Sequence, residues 1–213
     1  MGKILVLSLA FLLLLSLSVA LGEVTVGVKE GDWIEYTVAT TGLPEEGHDV
    51  VWARMEILDV QGKEIIVNVT TEAANRTVES DIMTMNPEEG QVGVWFIIPA
   101  NLDVGDSFYD ASMGNVTIEG LEQKTFAGAT RTVTHASTPE RIKYWDKATG
   151  VFIESIDILP NYTLNATADK TNMWSPQLLG IDPTIVYAAS IGVAIVIVIA
   201  IATAAIMMRR QKR

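Results

Sequence analysis

Between Thr184 and Met208 there is no charged side chain, and the run is dominated by Ile, Val and Ala. As an α-helix, residues 184–208 would extend about 37 Å, enough to cross a hydrocarbon core of roughly 30 Å with some tilt. The basic cluster Arg209, Arg210, Gln211, Lys212, Arg213 follows at once. Basic residues beside an apolar span stay on the cytoplasmic side. The pattern predicts a transmembrane helix at 184–208, a cytoplasmic tail at 209–213, and everything before the helix outside the cell membrane.

The first residues repeat the theme on a shorter scale. Lys3 is followed by the apolar run Ile4–Leu17, and Ser18, Ala20 and Gly22 are small residues at cleavage spacing. Residues 1–22 therefore read as a signal peptide, cut before Leu21 or before Glu23. An uncut segment would leave the topology unchanged, because Lys3 holds its start inside.

What remains is one domain's worth of chain, long enough to bury a core. Residues 23–171 form the expected β-rich extracellular domain, and 172–183 a juxtamembrane linker. Between the terminal segments the formal charge is about −16, against −11 for the whole chain, because five of the fifteen basic residues are Lys3 and the C-terminal cluster. Such an acidic domain does not bind nucleic acid or anionic lipid headgroups through general electrostatics. There is no cysteine. Disulfides, thiol catalysis and cysteine-ligated metals are thereby excluded.

Five Asn-X-Ser/Thr sequons, at Asn68, Asn75, Asn115, Asn161 and Asn165, mark candidate glycosylation sites on surface loops or solvent-facing strand positions. Together with the missing cysteines and the basic C-terminal cluster, they suggest an archaeal cell-surface glycoprotein.

Helical periodicity is nearly absent from Glu23 to Asp169. Short runs of Val, Ile, Thr, Tyr and Trp alternate with turn residues, the pattern of an antiparallel β-fold. Expected strands are Asp32–Thr40, a hairpin of Val50–Val60 with Lys63–Thr71, Thr77–Met85, Val92–Ile98, Val116–Glu119, Gln123–Phe126, Ala129–His135, Arg141–Trp145, Val151–Ile158 and Tyr162–Asp169. Alternation in Lys63–Thr71 sends Ile65, Val67 and Val69 one way and Asn68 the other. The continuous apolar run Val92–Ile98 reads as a strand covered on both faces. Asp146 and Gly150 suit a type I turn closed by a left-handed glycine. Val28-Lys29-Glu30-Gly31-Asp32 is echoed by Leu102-Asp103-Val104-Gly105-Asp106, a hint of two similar halves. The architecture expected is a mainly β ectodomain, an antiparallel curved sheet, half-barrel or sandwich.

Catalytic signals are weak. His48 with Glu45, Glu46 and Asp49, and Asp103 with Asp106 and Asp110, lack zinc-protease or calcium-loop spacing. No nucleophile elbow, phosphate loop or dinucleotide fingerprint is present. The expectation is no metal, no cofactor and no catalytic residue. A glycan-directed hydrolase acting through paired carboxylates stays open as an alternative. Trp174 and Tyr187 are placed as membrane-interface anchors, with Arg209 and Arg210 at the cytoplasmic side. The aromatic residues fill a core or line an apolar concavity, and the latter would suit a lipid or isoprenoid chain.

The stretches Trp95–Phe108, Phe126–Val133 and Tyr144–Glu154, the last with an aromatic-Asp-Lys-X-Thr-Gly turn, resemble uncharacterised archaeal single-pass cell-surface proteins. That resemblance implies a signal peptide, a β-rich ectodomain and one C-terminal transmembrane helix, but no activity and no site residues. The succession of long strands ending in this hairpin is also similar, at fold level, to the half-barrel of LolA-like lipoprotein carriers. The expected function is a membrane-anchored, non-catalytic binding module for a lipid or other apolar ligand, or for a protein partner. The alternative is a structural or assembly component of the cell envelope.

Overall fold

The computed structural model describes residues 24–44, 49–177, 181 and 184–197. The expected signal peptide at 1–22, the acidic loop residues Glu45, Glu46 and His48, the basic pair Arg209 and Arg210, and residues 198–208 of the apolar run lie outside these. The chain is mainly β. Eleven strands run in order: β1 (Trp33–Gly42), β2 (Val50–Gln61), β3 (Glu64–Ala73), β4 (Val78–Met85), β5 (Ser107–Asp110), β6 (Gly114–Thr117), β7 (Gly120–Phe126), β8 (Ala129–Thr138), β9 (Arg141–Asp146), β10 (Phe152–Ile158) and β11 (Tyr162–Thr171). Residues 184–197 form the one helix among the described residues, α1.

Nine strands make a single antiparallel sheet in the order β4-β3-β2-β1-β11-β10-β9-β8-β7, while β5 and β6 pair separately. Each consecutive pair within the two blocks is a hairpin, and β1 joins β11 at the centre. The alternation expected for the second hairpin arm is present: Ile65 and Val67 are fully buried, and Asn68 faces the other way, accepting a hydrogen bond from Ser80 Oγ at 2.7 Å. The outer face is held by charge pairing between neighbouring strands. Glu35 accepts from Arg54 at 3.0 Å and from Lys170 at 3.3 Å, and these are its register partners on β2 and β11. Such surface pairs, here half-buried at Glu35 and Arg54, contribute little individually, on the order of 0–1 kcal/mol.

The buried face carries the core: Ile34 and Tyr36 on β1, Met55 and Ile57 on β2, Ile65 and Val67 on β3, Met85 on β4 and Trp145 on β9. It is covered by the long connection from β4 to β7. Here the structure corrects the expected strand at Val92–Ile98. The run is a turn: Gly93, Val94 and Trp95 have φ values of 55°, 54° and 68°, and Phe96 N donates to Val92 O at 2.8 Å. Val92, Trp95, Ile97 and Ile98 are buried as an unbroken apolar run demands. They are buried as a plug, however, and not as a ladder strand; only Ile97 makes a bridge, to Val151. A left-handed conformation costs a non-glycine residue about 1–2 kcal/mol, so the surrounding packing must hold it.

The sequence echo is a true local repeat. Asp32 Oδ2 accepts from Lys29 N at 3.0 Å, and Asp106 Oδ2 from Asp103 N at 2.7 Å. Gly31 N then bonds Ile57 O at 2.9 Å, as Gly105 N bonds Ile118 O at 3.0 Å, with positive φ at both glycines. The likeness ends at the turn. The first copy opens ten-residue β1 in the large sheet, and the second opens four-residue β5 in the small hairpin.

The β9–β10 hairpin forms as its turn residues dictate. Asp146 Oδ1 accepts from Thr149 N and Oγ1, both at 2.9 Å, and Gly150 has φ 73°. Arg131 Nε donates to the other carboxylate oxygen at 2.7 Å.

Candidate functional site: an open cleft on the buried face

The plug covers the buried face along one end of the strands only. Trp95 sits at its centre, with ring centroids 5.9 Å from Phe108 and 5.8 Å from Trp145. Its indole Nε1 donates to Asp110 Oδ2 at 2.8 Å, and its carbonyl accepts from Trp145 Nε1 at 2.9 Å. Burial would raise the Asp110 carboxyl. Hydrogen bonds from the Ser112 hydroxyl and amide, the Trp95 indole and the Met113 amide outweigh it and hold that carboxyl below its ordinary value. Phe96 continues the cover by stacking on Phe152 at 5.3 Å, and Phe152 stacks in turn on Tyr36 at 4.2 Å. The Tyr36 hydroxyl donates to Phe152 O at 2.9 Å, and burial pushes its pKa well above the usual value.

Past this aromatic stack the cover stops. An open cleft of about 1000 Å³ remains, at the upper end of the roughly 300–1,000 Å³ usual for small-molecule sites. Its lining is divided. Val38 of β1, Val50 and Ala53 of β2, Val69 of β3, and Leu164 and Ala166 of β11 give an apolar wall. The part formed by β9 and β10 also presents apolar Phe152 and Ile158, but it gathers most of the polar side chains, Arg141, Lys143, Ser155 and Asp157, with Glu140 on the preceding turn. Register explains the grouping, since Ser155 lies opposite Lys143 and Asp157 opposite Arg141 on neighbouring strands. Arg141 Nε is hydrogen-bonded to Asp157 Oδ1.

Lys143 is the residue that sequence reasoning missed. Its side chain is almost wholly buried, with 3% of the residue exposed. The ammonium donates to Val94 O at 2.7 Å and stands 5.1 Å from the Phe96 ring centre and 4.8 Å from that of Phe152. Burial lowers its pKa to about 7; Asp157 opposes the shift and Arg141 adds to it. In Arg-Ile-Lys-Tyr-Trp the apolar residues on either side of Lys143 suggest the reverse orientation. The one available signal was that Lys143 shares strand parity with Trp145.

The predicted site residues are scattered. Asn75, Asn115, Asn161 and Asn165 are exposed and Asn68 is half-buried. Asn75 Oδ1 caps its turn by accepting from Thr77 N at 2.8 Å. Trp174 is taken up by the domain: it is buried, its Nε1 donates to Phe126 O at 3.3 Å, and the Arg131 guanidinium lies over its ring. The expected linker is thus pinned at its start, with Asn172 bonded to Trp33 N and Gly31 O and Gln177 N to Gly128 O. Tyr187 is exposed on α1. Of the loosely spaced aspartates, Asp110 is committed to Trp95 and Ser112, and Asp103 pairs with Lys147. Among the described residues no group of three or more His, Asp or Glu is placed to hold a metal ion. His135 lies against Tyr144 on the sheet, 3.7 Å from Glu122. Among the described residues no helix is long and apolar enough to cross a membrane; α1 is the described part of the apolar run. Comparisons with protein-family models, with curated proteins and with solved structures return no match.

Proposed function

We propose that this chain is a membrane-anchored extracellular module that holds a lipid or similar apolar ligand in the cleft of a half-barrel sheet. The observation that carries the reading is the unfilled apolar wall. Six strands from β3 to β9 contribute to one cavity. At about 4.8 Å between strands they would span roughly 24 Å if flat, so a shared cavity favours a curved sheet. Water-exposed apolar surface that a plug could have covered is retained where something else covers it.

Anchorage is supported by α1, where Ile185, Tyr187, Ile191, Val193, Ile195, Val196 and Ile197 are all more than half exposed. A helix apolar on every side and packed on nothing described is unfavourable in water and at home in lipid. An anchor would keep the cleft beside a reservoir of apolar ligands.

Native mass spectrometry of the full chain, purified from its own cells in detergent, tests the reading. The expected result is a lipid-sized adduct that survives detergent removal and is lost in Ala166→Trp, which fills the cleft. A bare protein mass for the wild type, or an adduct equally present in Ala166→Trp, overturns it.

A further inference from the structure

We propose that the cleft selects amphiphiles with a compact oxyanion head group, a carboxylate or a phosphate monoester, and that Lys143 is the cation that meets it. This rests on the cleft being a ligand site, as proposed above, and adds the chemistry of what it takes.

The first argument is segregation. A purely apolar ligand needs no polar wall, and a polar ligand gains nothing from Val38, Val69 and Leu164. A mostly apolar cavity with its charged side chains gathered on β9 and β10 matches a molecule with two ends. The second is charge. Arg141 is already neutralised by Asp157, and Glu140 is exposed on the turn. Among the described residues no carboxylate forms an ion pair with Lys143. An ammonium has three donors, and Lys143 uses one, on Val94 O. Its other favourable contacts are the Phe96 and Phe152 ring faces, which attract a cation without neutralising it. Asp157 acts on Lys143 only from a distance, its carboxylate being paired with Arg141; a buried cation without a directly paired counter-ion is expensive, and an incoming oxyanion removes the expense. The pKa of about 7 has the same origin. The acidic surface of the domain does not forbid this, since salt screens exposed charges beyond about 8 Å while a desolvated pair is screened far less.

The test uses the full chain in nanodiscs and four probes of one chain length: dodecanoate, dodecyl phosphate, dodecanol and dodecyltrimethylammonium. Partitioning into the bilayer is common to wild type and variant and drops out of their difference. Wild type should prefer at least one of the two oxyanions over dodecanol by about ten-fold or more, and over the quaternary amine by more still. The ratio of dodecanoate to dodecyl phosphate then says which source of oxyanion is favoured. Lys143→Met should abolish the preference, oxyanion affinity falling much further than dodecanol affinity, a result that a merely structural lysine would not give. Equal wild-type affinity for dodecanoate, dodecyl phosphate and dodecanol sinks the head-group assignment and leaves the apolar cleft standing. Failure of all four probes to bind sinks both. If Lys143→Met does not fold, the same four probes measured with empty nanodiscs give the partition baseline, and the wild-type ratios corrected for it decide the matter.

Discussion

At one end of the buried face Phe108 meets both Trp95 and Trp145 edge to face, while at the other Val38, Val69 and Leu164 border an open cleft. The same strands build both ends. On β1, Ile34 is under the plug and Val38 is in the cleft; on β3 the division falls between Val67 and Val69; on β9, between Trp145 and Lys143. Strand chemistry is therefore not what separates core from site. The separation is made by the connection from β4 to β7, which covers half the available length and stops at Phe96. Its turn at the cleft edge, residues 93–96, is strained, since Val94 and Trp95 hold left-handed backbone, and strain of this kind is kept where the surrounding packing over-determines it. Trp95 is held by Phe108, Trp145 and Asp110, whereas Val94 is 59% exposed and borders the cleft.

The contrast can be attacked most strongly from the filled end. Trp95→Ala should cost about 3–5 kcal/mol in chemical denaturation, the penalty for emptying a large aromatic site. A loss under about 1 kcal/mol would mean that the plug is not part of the core. Asp110→Asn should cost about 1–3 kcal/mol by weakening the acceptor for Trp95, Ser112 and Met113. Because the Asp110 carboxyl is held below its unfolded value of 3.8, its contribution is present above that pH and is lost as pH falls through the lower folded value. The variant should have a flatter stability profile in acid.

At the cleft end the charged form is the costly one, and the rise of stability with pH lies in the alkaline range instead of the acid one. Lys143 has a folded pKa of about 7 against an ordinary 10.5. Between those values the unfolded chain binds the extra proton, so stability rises with pH at up to about 1.4 kcal/mol per unit. Below pH 7 the full cost of the buried charge is present. Lys143→Met should remove this alkaline slope, and an unchanged slope would place the ammonium in water. Smallest of all, Val94→Gly should stabilise by about 1 kcal/mol by relieving the left-handed valine. A destabilisation would show that the Val94 side chain packs better than its exposure suggests.

Much of the sheet was legible because its strands obey period two and its turns use residues with fixed conformational habits. The β9–β10 turn needs an Asp that caps and a Gly that goes left-handed, and both sit where the sequence puts them. The plug was not legible, because an unbroken apolar run looks the same whether it joins a ladder or folds over one. Nothing in Val94 or Trp95 advertises positive φ, which is imposed by the bonds that Trp95, Trp145 and Lys143 make around it. The cleft was hidden for a related reason. Alternation continues unchanged from Ile65 through Thr71, and no local signal marks where a distant segment ceases to cover it. Lys143 was masked by Ile142 and Tyr144, whose apolar character suggested the reverse orientation of β9.

The meeting of β1 and β11 at the middle of the sheet has a mechanical consequence. A load applied through the chain beyond Gln177 first meets the bonds of Gln177 and Asn172, and then β11. That strand is hydrogen-bonded along its length to β1 on one side and, over Thr163–Thr167, to β10 on the other. Pulling along it must slide two ladders at once and cannot peel a single edge, so a domain tethered through this strand would resist tugging at its leash better than one hung from β4 or β7.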